Sequence, residues 1–178
     1  MKSRISPTLR FRAEVAGGDY LNSTFVICGL GMPLLRRGIT GFSTDRRVEF
    51  RTFKQAVHAA ARFTGGTVSA TSDSDGVTPN FYHADISNGD RQFSVVCNRN
   101  FPVIACVERP IEMSGIRPIT VPGFLEVMCN FGFEIASVNE LERPPDRRDL
   151  ALLASAERKQ VKYWKTRRVG DLIFNWWD

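Results

Sequence analysis

With 178 residues, 43% hydrophobic and 11% aromatic, the chain holds enough apolar material for one buried core, and a 24% charged fraction without long polar tracts excludes wholesale disorder. The net charge of +5 favours nucleic acid, an anionic membrane or an acidic protein as partner, and it is concentrated early: residues 1–62 carry 11 Lys/Arg against 4 Asp/Glu, residues 63–125 carry 4 against 6, and residues 126–178 carry 9 of each. The opening Met1–Pro7 lacks the apolar middle of a signal peptide, and the longest apolar stretch, residues 25–35, is about half a bilayer crossing and is interrupted by Gly29, Gly31 and Pro33. A single cytoplasmic domain without a membrane partner is expected, with residues 1–7 frayed.

In chain order, Leu9, Phe11, Ala13 and Val15 alternate with Arg10, Arg12 and Glu14, the pattern of a half-buried strand. Gly17-Gly18-Asp19 then turns the chain into a second strand over residues 20–28, a predicted hairpin. Gly29-Leu30-Gly31-Met32-Pro33-Leu34 follows a strand as a phosphate loop would, but it lacks the third glycine and any downstream Lys-Ser/Thr, so it reads as a turn. Residues 36–47 form a loop. A helix is predicted from Thr52, where Thr52 and Gln55 have capping-box spacing, to Gly65-Gly66. Phe53, Val57, Ala60 and Ala61 give it one apolar stripe, with His58 on the flank.

An antiparallel meander follows, with strands near residues 67–71, 81–87, 91–98 and 102–108 and a loop over residues 72–80. Asn88-Gly89 is the strongest hairpin signal in the chain. With those two residues as the loop, Ser87 pairs with Asp90, Ala84 with Phe93 and His83 with Ser94. One face then holds Tyr82, Ala84, Ile86, Phe93, Val95 and Cys97. The other gathers His83, Asp85 and Ser94, the residue types of a nucleophile, a base and an orienting carboxylate. A solvated sheet face uses the same residues, and no oxyanion donors accompany them, so this small-enzyme reading ranks as a second alternative.

Residues 109–120 read as a loop, and Pro122 suits the first turn of a helix carrying Phe124, Leu125, Val127, Met128 and Phe131. Gly132 stops it, and residues 133–137 form a last strand. Residues 139–145 resemble a linker, after which Asp146 caps a helix carrying Leu150, Leu153, Ala154, Val161 and Trp164. The four cysteines, Cys28, Cys97, Cys106 and Cys129, sit in apolar runs without a C-x-x-C pair, and only His58 and His83 could complete a zinc set. Neither metal nor cofactor is expected. Reduced thiols are favoured, with a Cys97–Cys106 bridge between neighbouring strands left open.

Toward the C-terminus, Arg158, Lys159, Lys162, Lys165, Arg167 and Arg168 surround Tyr163 and Trp164, a mixture that binds phosphates and stacks bases but also suits a helix C-terminus. Nucleic-acid binding through this basic surface is the first alternative function. Val169, Leu172, Ile173, Trp176 and Trp177 then fall on one helical face, which favours docking of the tail into the core over display to a partner.

The run from Tyr163 to Asp178, YWKTRRVGDLIFNWWD, resembles the C-terminal segment of small bacterial polymorphic-toxin immunity-type proteins, over under a tenth of the chain. The resemblance implies a cytoplasmic, non-enzymatic inhibitor that binds and neutralises one cognate toxin. It brings no catalytic residues. Because this chain is basic, the toxin's contact surface is expected to be acidic. The residues expected at that contact are Arg158, Lys162, Lys165, Arg167 and Arg168, with His83 and Asp85 on the sheet. The expected fold is α+β, a mainly antiparallel sheet of five to seven strands with about three helices packed mostly on one face.

Overall fold

The computed structural model describes residues 33–42, 47–73 and 78–177. The expected hairpin over residues 9–28, the turn at Gly29–Leu34 as far as Met32, and the frayed start lie outside them. The fold is α+β, built on a six-stranded sheet in the order β1 (Thr67–Ser72), β2 (Phe81–Asn88), β3 (Arg91–Asn98), β4 (Val103–Val107) and β5 (Pro118–Ile119). All those neighbours are antiparallel. The sixth strand, β6 (Glu134–Ile135), pairs in parallel with Val103 and Ile104, while β5 pairs with Cys106 and Val107, so the two share one edge of β4.

Burial explains the sequence pattern. β2 alternates, whereas every residue of β4 and the last six of β3 are buried. Such unbroken burial requires both sheet faces to be covered. On one face Tyr82, Ala84, Ile86, Phe93, Val95, Cys97, Ile104 and Cys106 pack against α1 (Phe50–Phe63) and α2 (Phe124–Cys129). On the other, Phe81, Val96, Val103, Ala105 and Val107 meet the C-terminal helices α3 (Val138–Glu142), α5 (Ser155–Trp164) and α6 (Val169–Ile173). With α4 (Arg147–Leu152) there are six helices among the described residues, most of them one or two turns long. The sheet and class agree with expectation, but the helices number six rather than three and cover both faces.

The chain's end is core. Val169, Leu172, Ile173 and Phe174 are fully buried and Trp177 is nearly so. Three buried asparagines stitch this tail to the sheet. Asn98 Nδ2 donates to the carbonyls of Ile39 (2.9 Å) and Ile173 (2.6 Å), while its Oδ1 accepts from the amides of Asn100 and Phe101 at 3.0 Å each. Asn80 Nδ2 reaches the same two carbonyls, and its Oδ1 accepts from the Asn175 amide at 2.8 Å. Asn175 in turn donates to Thr40 O and Leu172 O. A second fastening is Glu157, fully buried on α5. Its carboxylate accepts from the amides of Gly38 and Thr40, the Thr40 hydroxyl at 2.7 Å and the Ala154 amide at 2.7 Å. A carboxylate is tolerated away from water only when saturated in this way.

Several local expectations change. The β2–β3 loop is Gly89-Asp90, with Asn88 opposite Arg91 and Gly89 at φ 58°, so the pairing moves by two residues. An even shift keeps each side chain on its face but places Ser94 opposite Asp85 and His83 opposite Val96. α1 starts two residues before Thr52, with Glu49 at its N-cap and no side-chain cap, so the Thr52–Gln55 capping box does not form. The box forms instead at Ser137–Glu140, which turns part of the expected linker into α3. Asp146 does cap a helix, with Asp149 as its reciprocal partner, but α4 ends at Leu152 and α5 begins at Ser155. Cys97 and Cys106 are free and buried, opposite Ile104 and Val95 rather than each other. Burial pushes both thiols far above their ordinary range. Cys129 is disulfide-bonded, so reduced thiols throughout do not hold.

Candidate binding groove

Helix α5 carries its cations out to a sharp end. Lys165 stands in the left-handed region at φ 50°, unusual for a residue with a β-carbon, and its amide closes the helix on Val161 O. The chain then runs extended through Arg168, the N-cap of α6. Arg168 is held on three sides: Nε donates to Asp171 Oδ2 (3.1 Å), Nη2 to Asp171 Oδ1 (2.8 Å) and Nη1 to Glu142 Oε1 (2.9 Å). The Asp171 hydrogen bonds outweigh partial burial and raise the guanidinium's pKa. Against this pair lies Gly115, at φ 129°, where a β-carbon would fall 2.8 Å from both Arg168 Nη2 and Asp171 Oδ1. Only glycine lets that loop approach so closely.

Between this loop, the end of α5 and the tail lies a cavity of about 760 Å³. Its walls are Phe174, Trp176 and Trp177 from the tail, with Trp164 and Met113 at its mouth. Met113 is 78% exposed and Trp164 42%; Tyr163, edge-to-face with Trp164 at 5.2 Å, is 76% exposed just outside. Lys165 and Arg167 also line the cavity, and among the described residues neither has an ion-pair partner. Two lining groups, Trp176 Nε1 and Thr166 Oγ1, are buried and have no hydrogen-bond partner among the described residues. Buried polar groups are ordinarily satisfied, so both are donors in reserve.

Of the cations singled out in the sequence, Lys165, Arg167 and Arg168 line this groove, the last already neutralised by Asp171 and Glu142. Arg158 and Lys162 do not line it; Arg158 Nη1 donates to Leu153 O at the end of α4. His83 and Asp85 stand apart on the sheet. There Ser94 Oγ donates to Asp85 Oδ1 at 2.6 Å, and Asp85 Oδ2 pairs with Arg109 at 2.9 Å. Ser94 thus turns to the carboxylate rather than to His83, and the nucleophile–base contact that the small-enzyme alternative needs is not made. Burial depresses the His83 pKa, partly opposed by Asp85 and reinforced by Arg109. Ser94, Asp85 and Arg109 form a polar network on the sheet beside His83. Among the described residues, no group of three or more His, Cys, Asp or Glu is placed to hold a metal, and no helix is long and apolar enough to cross a membrane.

The groove escaped sequence reading because its walls come from segments some 50 residues apart. Met113 and Gly115 lie in a stretch that reads only as a loop, and the one available signal was a glycine beside exposed Met and Ser. The chain matches no protein-family model, no curated protein and no solved structure.

Proposed function

We propose that the chain is a non-enzymatic binding protein of the toxin-immunity type, whose C-terminal groove receives an acidic surface loop of one cognate toxin. The observation that carries this reading is the pairing of unneutralised Lys165 and Arg167 with exposed Trp164, Tyr163 and Met113 around one concave site. Trp, Tyr, Arg and Met are the residues enriched where protein interfaces concentrate their binding energy. The two cations select a carboxylate-bearing loop, and the aromatic walls bury its apolar side chains. Asp171 in the wall, with Glu142 also bound to Arg168, makes the groove a poor track for a continuous polyanion, which favours a protein over nucleic acid here.

The test is protection from the product of the adjacent gene. Cells expressing that product alone should stop growing, and cells also expressing this chain should grow. Lys165→Glu with Arg167→Glu should abolish protection while the protein remains folded by circular dichroism. A harmless neighbour, or full protection by the doubly reversed variant, contradicts the proposal.

A further inference from the structure

A second groove lies on the opposite layer of the molecule, and nothing in the toxin-binding reading uses it. Its floor is the solvent face of α1. Arg51, Lys54, Gln55, His58 and Arg62 recur at three- and four-residue spacing, so they form one stripe along 14 residues of helix. The α2–β6 turn brings Phe131, 41% exposed, to its side, and together they line a depression of about 530 Å³. None of Arg51, Lys54 and Arg62 has a carboxylate partner among the described residues, although the molecule forms eight ion pairs elsewhere among them. Lys54 is steadied over the Phe50 ring at 4.8 Å, which fixes its stem without neutralising it.

We infer that this groove binds a single-stranded nucleic acid, with the α1 cations on its phosphates and Phe131 as a platform for one base. Three features favour that occupant over an acidic peptide. The charges form a straight row rather than a cluster, spanning about 16 Å from Arg51 to Arg62 at the helical rise, long enough for the three cations to meet different phosphates of one strand. An exposed aromatic, Phe131, is at the edge of the row, as on stacking surfaces that track a backbone. Gln55 and His58, between the cations, offer hydrogen-bonding groups to sugar or base without adding negative charge.

Fluorescence anisotropy of a labelled oligothymidylate of about 12 nucleotides, a length within ordinary single-strand site sizes, tests the inference on the full chain. Binding should weaken as salt rises from about 50 to 200 mM, with a log–log slope near −2 for three released counterions. Arg51→Glu with Arg62→Glu should weaken binding at least tenfold and flatten that slope. Phe131→Ala should weaken it about fivefold, the low end of single-base stacking, with the slope unchanged. Lys165→Glu with Arg167→Glu should leave it unaltered, which separates this groove from the other. Circular dichroism melting of each variant confirms that it is folded. The inference fails if the oligonucleotide does not bind at low salt, if a duplex or polyglutamate binds as tightly, or if reversal at Lys165 and Arg167 weakens binding as much as reversal on α1.

Discussion

Replacing Asn98 by Ala should destabilise the protein by about 3 kcal/mol, because this side chain serves four backbone groups at once. Its two carbonyl partners, on Ile39 and Ile173, keep Asn80 as a second donor, so their loss is partial. The amides of Asn100 and Phe101 lose the Asn98 Oδ1 acceptor, and a buried amide that loses its acceptor costs about 1–3 kcal/mol. Phe101 is buried and Asn100 only partly so, which places the sum in the lower half of that doubled range, at about 3 kcal/mol. For a chain of this size the change corresponds to a fall of about 6–12 °C in Tm. Urea unfolding followed by tryptophan fluorescence suits the measurement, since all three tryptophans, Trp164, Trp176 and Trp177, lie in the docked C-terminal segment. Asn98→Asp should cost at least as much, because its charge faces two carbonyl oxygens. If both variants unfold within about 1 kcal/mol of the parent, the asparagine network does not hold the tail and the account of its docking is wrong.

Truncation after Gly170 removes Leu172, Ile173, Phe174 and Trp177 from the core, at about 1.5–3 kcal/mol each, so the shortened chain should be unfolded by circular dichroism. Native Cys97 and Cys106 should resist a thiol reagent until denaturant is added, whereas prompt labelling would show that their burial is wrong. His83 has a depressed folded-state pKa, so the unfolded chain takes up its proton first and stability falls as pH drops below about 6.5. His83→Gln should therefore narrow the gap between urea midpoints measured at about pH 7 and pH 5; an unchanged gap would refute the assignment. Gly115→Ala should displace the loop from Arg168 and Asp171 and weaken the proposed toxin contact, and Arg168→Ala should not restore it, because Asp171 Oδ1 lies as close to the new β-carbon and φ 129° disfavours one; restored binding would refute this account of the loop.

The sheet was readable because alternation in residues 81–98 survives any even shift of register, so the core face was identified although the hairpin loop lay two residues' worth of pairing away. The polar face depended on the register itself, and there the His83–Ser94 opposition failed. Helices on both faces were implied by the unbroken apolar runs Val95-Val96-Cys97 and Val103–Val107, a pattern that alternation counting passes over. The break between α4 and α5 was concealed because Leu150, Leu153, Ala154 and Val161 keep helical spacing across it, while the Glu157 side chain secures a new start at Ala154. The docking of the tail was expected from its apolar residues, but the single helical face was not found, since α6 ends at Ile173 and Phe174, off that face, is fully buried. Its fastening had no local pattern either, because only the fold brings the single asparagines at positions 80, 98 and 175 together. The groove's cations were visible as a charged run; which of them are free depended on Asp171 and Glu142 claiming Arg168.

The central claim, that the C-terminal groove binds an acidic loop of a toxin, is tested most directly by calorimetric titration of the purified chain with the product of the adjacent gene. A single 1:1 site is predicted, with affinity falling at least tenfold on Lys165→Glu with Arg167→Glu and unchanged by Arg51→Glu with Arg62→Glu. No heat of binding, or equal affinity for the parent and the Lys165/Arg167 variant, would contradict it.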